Sequence, residues 1–381
     1  MFGPPVARQW RVHLDPVQTA TVAHTSVGTP ALWIGFSVVV FAVLAIDLYI
    51  GSKSHGPMSK RAAIVWSGVW LACAGAFGAG LYFLIDHDRA REAALEFVTC
   101  YLVEYSLSID NLFVFLLLFS AFKVPPEHQH RVLFWGIFGA IVLRAIFIFV
   151  GSALLTQWHF LIYVFGAFLI YTGIKLLIPG GDEDEADISD NAVVKIARRF
   201  IRVHDKYDAH HFFTTHNGVR LATPLLLVLV SVELSDVVFA LDSIPAVFGF
   251  SNDPFIIYTS NIFAILGLRS LFFLLAGVLW GLRFLKPALG VILGFVGVKM
   301  CLPLFDLWLQ QVGIQLNLGH TPISPEVSLG VVGGMLAVGI AASVLFPGKK
   351  PEAVHAVDEL KEDLDEVVHP DRHPHGDEAK H

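Results

Sequence analysis

The sequence predicts an all-α fold: a polytopic helical membrane protein with about nine transmembrane helices and two inverted three-helix repeats. The first observation is composition, because 55% of the 381 residues are hydrophobic and only 15% are charged, whereas soluble domains carry about 25% charged residues. The second is a series of long apolar runs, each close to the ~20 residues that cross a bilayer as a helix. The third is a pair of three-run units in which acidic and basic residues recur in the same order.

Nine apolar runs predict the spans. They cover 31–50, 62–85, 95–119, 132–154, 158–178, 221–248, 255–281, 284–304 and 326–346. No short apolar core precedes a small-residue cleavage site in the polar first 30 residues, so we expect the first span to be retained and not cleaved as a signal peptide. Pro245 is expected to end or kink the sixth span and to leave 246–250 as a turn, because proline donates no backbone hydrogen bond.

Lysine and arginine collect in alternate connections, which predicts the orientation. One side receives Lys53, Lys60, Arg61, Lys123, Arg131, six basic residues of the connection 179–220, Arg283, Lys349 and Lys350. The other side receives only Arg8, Arg11, Arg89 and Arg91. Because cytoplasmic connections carry the excess of basic residues, we expect a cell inner-membrane protein with its N-terminus outside and its C-terminus in the cytoplasm.

Polar segments flank and interrupt the membrane domain. The chain divides into a polar segment 1–30, membrane parts 31–178 and 221–346, a cytoplasmic connection 179–220 and an acidic, His-rich cytoplasmic tail 347–381. Over 193–202, apolar and basic residues alternate at helical spacing, which indicates an amphipathic helix lying either on the inner membrane surface or on the protein. For the tail, disorder is favoured over metal collection. The three cysteines form no close pair, so neither a disulfide nor a thiolate metal site is predicted.

An internal repeat relates about 95–178 to about 221–304. Gly166 and Lys175 are nine positions apart, as are Gly290 and Lys299. The segment that begins at Leu143-Arg144 matches the one that begins at Leu268-Arg269, and Glu104 and Asp110 are six apart, as are Asp236 and Asp242. Because each unit has three spans, its copies enter the membrane from opposite sides, an arrangement typical of secondary transporters whose site lies where the repeats meet.

Charged residues inside the spans point to an ion pathway. A carboxylate near the bilayer centre costs several kcal/mol, so acids there usually serve a function. The acids are Asp47, Glu104, Asp110, Glu233, Asp236 and Asp242, and the charge-balancing bases are Arg144, Arg269, Lys175 and Lys299. Six acids against four bases leave a formal excess of two negative charges. One divalent cation or two protons would offset this excess, which suggests electroneutral exchange; a buried ion-pair network is the alternative.

The spacing of the acids predicts a cation site rich in oxygen. Glu233 and Asp236 share a helix face, whereas Asp236 and Asp242 do so only if Pro245 breaks the helix and frees a carbonyl. The predicted cage contains Asp110, Asn111, Asp242 and Ser243, with Glu104, Glu233, Asp236, Asp47 and Asn261 as further candidates. Oxygen ligands suit Mn²⁺, Ca²⁺ and Mg²⁺. The two lysines lie near span ends, where they snorkel to the interface or balance charge, and Asp47 either caps its span or lines the pathway.

Six stretches of sequence resemble the TerC family of integral membrane proteins. They are AIDLYIG around Asp47, MSKRAAIVWSGVW, EYSLSIDNLFVF, TPLLLVLVSVELSDVVFALDSIPAVF, NIFAILGLRSLFF and GVKM, and they extend over about 31–346. The resemblance implies metal-ion homeostasis, chiefly manganese export from the cytoplasm, with calcium as a substrate among relatives; the family name refers to tellurium resistance. It also implies that the family's membrane acids fall on Asp47, Glu104, Asp110, Glu233, Asp236 and Asp242.

We therefore expect a divalent metal exporter of the cytoplasmic membrane in which Mn²⁺ efflux is coupled to proton exchange. Mn²⁺, or alternatively Ca²⁺, is the transported ion, and we expect no permanent cofactor and no enzymatic activity. The expected partners are the bilayer, the divalent ion and protons, with no nucleic acid. The alternative hypothesis is a membrane scaffold or biogenesis factor, linked to metal or tellurite stress, that acts through the connection 179–220 and the tail. An intramembrane aspartyl protease is disfavoured because the sequence contains no Gly-x-Gly-Asp motif.

Overall fold

The computed structural model describes residues 26–53, 59–85, 87–122, 124–178, 211–216, 219–275, 284–311 and 323–346. In these ranges the chain forms nine α-helices and one β-hairpin. The elements are α1 Pro30–Lys53, α2 Lys60–Leu84, α3 His87–Ala121, α4 Pro126–Gln157, α5 Leu161–Leu177, β1 Phe213–His216, β2 Val219–Ala222, α6 Pro224–Phe248, α7 Pro254–Leu275, α8 Leu285–Gln311 and α9 Pro325–Leu345. The predictions for the amphipathic helix 193–202 and for the tail lie outside the described residues.

The helix starts follow familiar N-terminal signals. Proline, whose fixed φ suits the first helical turn, opens α1, α4, α6, α7 and α9. Ser59 and Ser324 cap α2 and α9, since each hydroxyl accepts a hydrogen bond from the backbone N–H three residues on. Asp253 caps α7 by accepting from Phe255 N at 2.9 Å, and it also accepts from Val27 N at 2.6 Å. The segment before α1 is thereby tied to the start of α7.

The prediction of a polytopic helical membrane protein is confirmed. Seven of the described helices are long and apolar enough to cross a bilayer, namely α2, α3, α4, α6, α7, α8 and α9. The apolar parts of α1 and α5, Pro30–Ile46 and Leu161–Leu177, are shorter. At 1.5 Å per residue these two parts extend about 25 Å, somewhat less than the ~30 Å hydrocarbon core.

The structure differs from the sequence prediction around the sixth span. The predicted start at 221 falls in β2, which pairs antiparallel with β1, and the helix begins at Pro224. The hairpin is held to the membrane domain because the Thr223 hydroxyl donates to His211 O at 2.7 Å and Arg131 of α4 lies 4.9 Å from the Phe212 ring centre. The helix ends at Phe248, where the predicted span 221–248 ends, so 246–248 are helical and the expected turn directly after Pro245 is wrong. Pro245 lies in the last turn, where one missing N–H removes only one helical hydrogen bond.

The helices pack around α7. In α7, 89% of the most apolar stretch is buried inside the protein, whereas the corresponding buried share is 17% in α2 and 28% in α9. Helix α7 is therefore central, and α2 and α9 are peripheral. Helices α2, α3 and α4 each pack against α7, and α6 packs against α3 and α4. Arg91 at the start of α3 pairs with Glu326 at the start of α9, at 3.2 Å, so these two helices begin on the same side of the bundle.

The closest helix crossing joins α5 to α8 through four glycines. A Cβ at Gly166 would lie 3.0 Å from Gly297 O, and one at Gly297 would lie 2.5 Å from Gly166 O. A Cβ at Gly173 would lie 2.6 Å from Gly290 O, and one at Gly290 would lie 2.8 Å from Gly173 O. In the sequence repeat Gly166 matches Gly290 and Gly173 matches Gly297. Exchange of the two helices therefore turns one contact into the other, which is the geometry that an inverted repeat requires; the repeat itself stays a prediction.

Candidate cation site

A buried arginine joins four helices in the middle of the bundle. Arg144 of α4 is 1% exposed, and its Nη1 donates to Glu104 of α3 and, at 2.6 Å, to Oδ1 of Asn261 of α7. Its Nη2 donates to Oδ1 of Asp236 of α6 at 3.4 Å. The cluster of Glu104, Arg144, Asp236 and Asn261, here called the Arg144 cluster, therefore contains one repeat-related pair of acids, Glu104 and Asp236.

The Arg144 cluster is short of positive charge. Two carboxylates face one guanidinium, which leaves a formal excess of one negative charge in a region where all four residues are buried. Among the described residues, Oε2 of Glu104 and Oδ2 of Asp236 have no hydrogen-bond partner although both are buried, and the same holds for the hydroxyl of Ser108, one turn after Glu104. Buried polar atoms are normally partnered, and buried charge normally compensated. These oxygens are thus suited to a cation or to protons.

A small, partly enclosed cavity adjoins the Arg144 cluster. Its polar lining is Ser108, Asn111, Arg144 and Asp236. Its apolar wall includes Gly136, Ile137 and Ala140 of α4, Val232 of α6, and Ile265 and Leu268 of α7. The cavity lies toward the C-terminal ends of α3 and α7 and the N-terminal ends of α4 and α6, the side that the charge distribution predicts to be cytoplasmic.

Glu233 lies one turn before Asp236 on α6 and packs directly on α4. A Cβ at Gly139 would collide with the Glu233 carboxylate, so a larger residue there would force that carboxylate to move. Glu233 Oε2 is buried and has no hydrogen-bond partner in the described part of the chain. The expected shared face of Glu233 and Asp236 is present, in that both contact α4, but the two carboxylates have different neighbours.

Asp242 lies away from the Arg144 cluster. It accepts a hydrogen bond from the Thr172 hydroxyl of α5 at 3.4 Å, and Lys175 of the same helix contributes a nearby positive charge. Because α6 is not interrupted between Asp236 and Asp242, the six-residue spacing directs the second acid toward α5. The buried hydroxyl of Ser243 has no hydrogen-bond partner.

The remaining predicted residues are distributed over several helices. Lys299 of α8 donates to the Ser328 hydroxyl of α9 at 3.1 Å and lies 5.3 Å from the Phe250 ring centre, whereas Lys175 is exposed. Arg269 is buried in α7 and Asn111 in α3. Asp47 and Asp110 belong to α1 and α3, but their side chains lie outside the described part of the structure. Among the side chains that are described, no group of three or more His, Cys, Asp or Glu is placed to hold a metal, so the predicted ligand set stays a prediction.

Comparison with known proteins identifies the family. The profile described as "Integral membrane protein TerC family" matches residues 89–350. The chain belongs to the TerC family. Relatives include "Uncharacterized membrane protein STKORF319" of Myxococcus xanthus, 47% identical over 84% of this chain and 94% of that protein. "Putative membrane-bound redox modulator Alx" of Escherichia coli K12 is 47% identical over 82% and 94% of the two chains, and "Thylakoid membrane protein TERC, chloroplastic" of Arabidopsis thaliana is 48% identical over 66% and 61%. No solved structure matches.

Two polar features of this TerC-family chain escaped the sequence analysis. Ser108 was not singled out, although its position four residues after Glu104 places both on one helix face. Glu96 was not singled out either, and it accepts a hydrogen bond at 2.6 Å from the hydroxyl of Ser251, a residue that is 1% exposed. A serine that follows the end of a predicted span gives no sequence signal of burial.

Proposed function

We propose that this TerC-family protein exports a divalent cation from the cytoplasm across the cell inner membrane in exchange for protons. Mn²⁺ is the proposed main substrate and Ca²⁺ the alternative. The observation that carries the proposal is the Arg144 cluster, in which Glu104 and Asp236 each keep one buried oxygen that has no partner among the described residues, and in which Asp236 and Arg144 line a cavity. The chain's N-terminus would lie outside and its C-terminus in the cytoplasm, so that the cavity opens to the cytoplasm.

The chemistry of the donors favours a hard divalent cation. Carboxylate, amide and hydroxyl oxygens are available from Glu104, Asp236, Asn111 and Ser108, and such oxygens suit Mn²⁺, Ca²⁺ and Mg²⁺ better than softer ions. A buried carboxylate needs a cation or a proton to offset its charge. Alternation between these two forms of compensation is what proton exchange requires.

The alternatives receive less support from the described residues. A scaffold role would depend on the connection 179–220 and the tail, and most of these two segments lies outside the described residues. The name of the Alx relatives suggests redox chemistry, which could involve a pair of cysteine thiols. In the described residues Cys73, Cys100 and Cys301 are each free and form no pair.

Metal flux in proteoliposomes tests the proposal. Purified protein is reconstituted with an imposed pH gradient, and Mn²⁺ movement is followed in wild type, Glu104→Gln, Asp236→Asn and Glu326→Gln. Glu326 is the matched control because it is a carboxylate on α9, a helix outside the Arg144 cluster, and it pairs with Arg91 at the protein surface. We expect the two cluster variants to lose at least about tenfold of the gradient-driven flux, which corresponds to the loss of about 1.4 kcal/mol or more. If both cluster variants transport Mn²⁺ at the wild-type rate, the Arg144 cluster is not the transport site. If the wild-type protein transports none of the divalent ions, the proposal of export is wrong.

A further inference from the structure

Arg144 occupies the place that a bound cation would take. Its guanidinium is held by carboxylate oxygens of Glu104 and Asp236 and by the amide oxygen of Asn261, which come from three different helices. Oxygens of these types also bind divalent cations. The guanidinium borders the cavity, so a cation that enters there meets the arginine and its carboxylates together. The arginine and the cargo therefore compete for one set of oxygens.

A third carboxylate lies close to the same arginine. Glu233 rests against Gly139 of α4, and it is three residues before Asp236 on α6. Residues three apart share a helix face with Cβ atoms about 5–6 Å apart, and Asp236 already accepts a hydrogen bond from Arg144 Nη2. The long arginine side chain can cover the further distance from Asp236 to Glu233. Glu233 Oε2, which has no hydrogen-bond partner among the described residues, is available to receive it.

The charges agree with an exchange of partners. Glu104, Glu233 and Asp236 together carry three negative charges when ionised and Arg144 carries one positive charge, so the excess of two equals the charge of one divalent cation. If the cation takes Glu104 and Asp236 and the guanidinium takes Glu233, the charges of these four side chains are compensated. A guanidinium displaced without a new partner would be strongly unfavourable. Among the described residues, the neighbouring helices also carry the buried Arg269 on α7 and Lys175 on α5, which lies near Asp242.

We propose that Arg144 is a tethered cation that changes partners during transport. It holds Glu104 and Asp236 while the cargo site is empty, and it moves to Glu233 when a divalent cation binds there. Only hydrogen bonds and ion pairs change. This inference rests on the proposed function and assigns distinct roles to two residues: Arg144 competes with the cargo, and Glu233 is a positioning residue that receives the displaced guanidinium.

Mn²⁺ titrations of the purified full-length protein separate these roles by the sign of the change. In Arg144→Gln the competitor is gone, so we expect the Kd for Mn²⁺ to fall about tenfold while transport slows, since the empty site loses its counter-charge. In Glu233→Gln the guanidinium has no second partner, so we expect the Kd to rise about tenfold, a range typical of coupled sites. A merely structural role would weaken binding in both variants. Unchanged or weaker Mn²⁺ binding in Arg144→Gln overturns the proposal.

Two further measurements keep the test decisive if Arg144→Gln is unstable. Its thermal unfolding is recorded with and without Mn²⁺, and we expect Mn²⁺ to raise its Tm more than it raises the Tm of wild type; a variant that stays unfolded with Mn²⁺ overturns the proposal.

Gly139→Ala displaces the Glu233 carboxylate without removing its charge and should raise the Kd for Mn²⁺ as Glu233→Gln does. Gly75→Ala is the control, because a Cβ there meets nothing within 4 Å. Wild-type affinity in Gly139→Ala overturns the role of Glu233.

The outcomes also distinguish this inference from the proposed function. If wild type binds and transports no divalent ion, the proposed function itself fails. If wild type binds and transports Mn²⁺ but the two Kd changes lack opposite signs, only the partner exchange fails.

Discussion

Substitution of Gly173 by alanine tests the helix crossing on which the arrangement of α5 and α8 depends. The added Cβ would lie 2.6 Å from Gly290 O and 2.8 Å from Gly294 N, both of which are backbone atoms that no rotamer change can move. Ordinary contact begins near 3.4 Å, so the helices must separate by about 0.8 Å. Overpacking of this kind costs about 1–3 kcal/mol, partly offset by the roughly 0.5–1 kcal/mol that alanine gains over glycine within a helix.

Thermal unfolding in detergent, followed by intrinsic fluorescence, measures the effect. We expect the Tm of Gly173→Ala to fall by several degrees, whereas Gly294→Ala should be neutral or stabilising because its Cβ would meet nothing within 4 Å. Gly297→Ala, the repeat counterpart of Gly173, should lose a similar amount, since its Cβ would lie 2.5 Å from Gly166 O. Equal stability of Gly173→Ala and Gly294→Ala would refute the close crossing. Clearly unequal losses at Gly173 and Gly297 would refute the reciprocal contact.

Two other predictions concern single carboxylates. Asp242→Asn is expected to abolish Mn²⁺ efflux from proteoliposomes while the protein stays folded, because Asp242 belongs to the oxygen cage that the sequence predicts; efflux at the wild-type rate would remove Asp242 from the site. Asp253→Ala should lower the Tm, because loss of an N-cap costs about 1 kcal/mol and the contacts to Ser26 and Val27 are lost as well; exposed Asn252→Ala is the control, and equal Tm values for the two variants would show that the cap contributes nothing.

The membrane fold could be predicted from the sequence because its main constraint is local. In a bilayer the backbone hydrogen bonds must be satisfied within each segment, so an apolar run of sufficient length is enough to indicate a helix. The spans that begin near 255 and 326 match the starts of α7 at Pro254 and α9 at Pro325 closely. Each of these two helices also opens with a proline, which marks the boundary in the sequence itself.

The hairpin could not be predicted in the same way. Leu221 and Ala222 are apolar and extend the run of α6, and their strand partner lies in a segment with no strong periodicity of its own. Only the pairing of β1 with β2 and the contacts of Phe212 and Thr223 separate it from the helix. These contacts are tertiary, so the local pattern does not contain them.

The candidate site was predictable in its residue types but not in its grouping. Counting charges inside the spans identified Glu104, Asp236 and Arg144, because burial in lipid makes each one exceptional. The sequence spacing treated Asp110 and Asp242 as the centre, since the two acids hold equivalent positions in the two repeats. The uninterrupted course of α6 through Pro245 directs Asp242 to Thr172, so equivalence in the repeat does not by itself bring residues together.

The formal charge counted over all the spans differs from the formal charge of the Arg144 cluster, and this difference bears on the mechanism. Over all the spans the formal excess is two negative charges, yet the Arg144 cluster alone has an excess of one. Adding Glu233, whose carboxylate lies against Gly139 on the same helix as Arg144, restores the excess of two within a single region. One divalent cation would then neutralise that region only if the arginine remains among its three acids. The proposed movement of the guanidinium meets this condition, because Arg144 then pairs either with the buried Glu104 and Asp236 or with the half-buried Glu233.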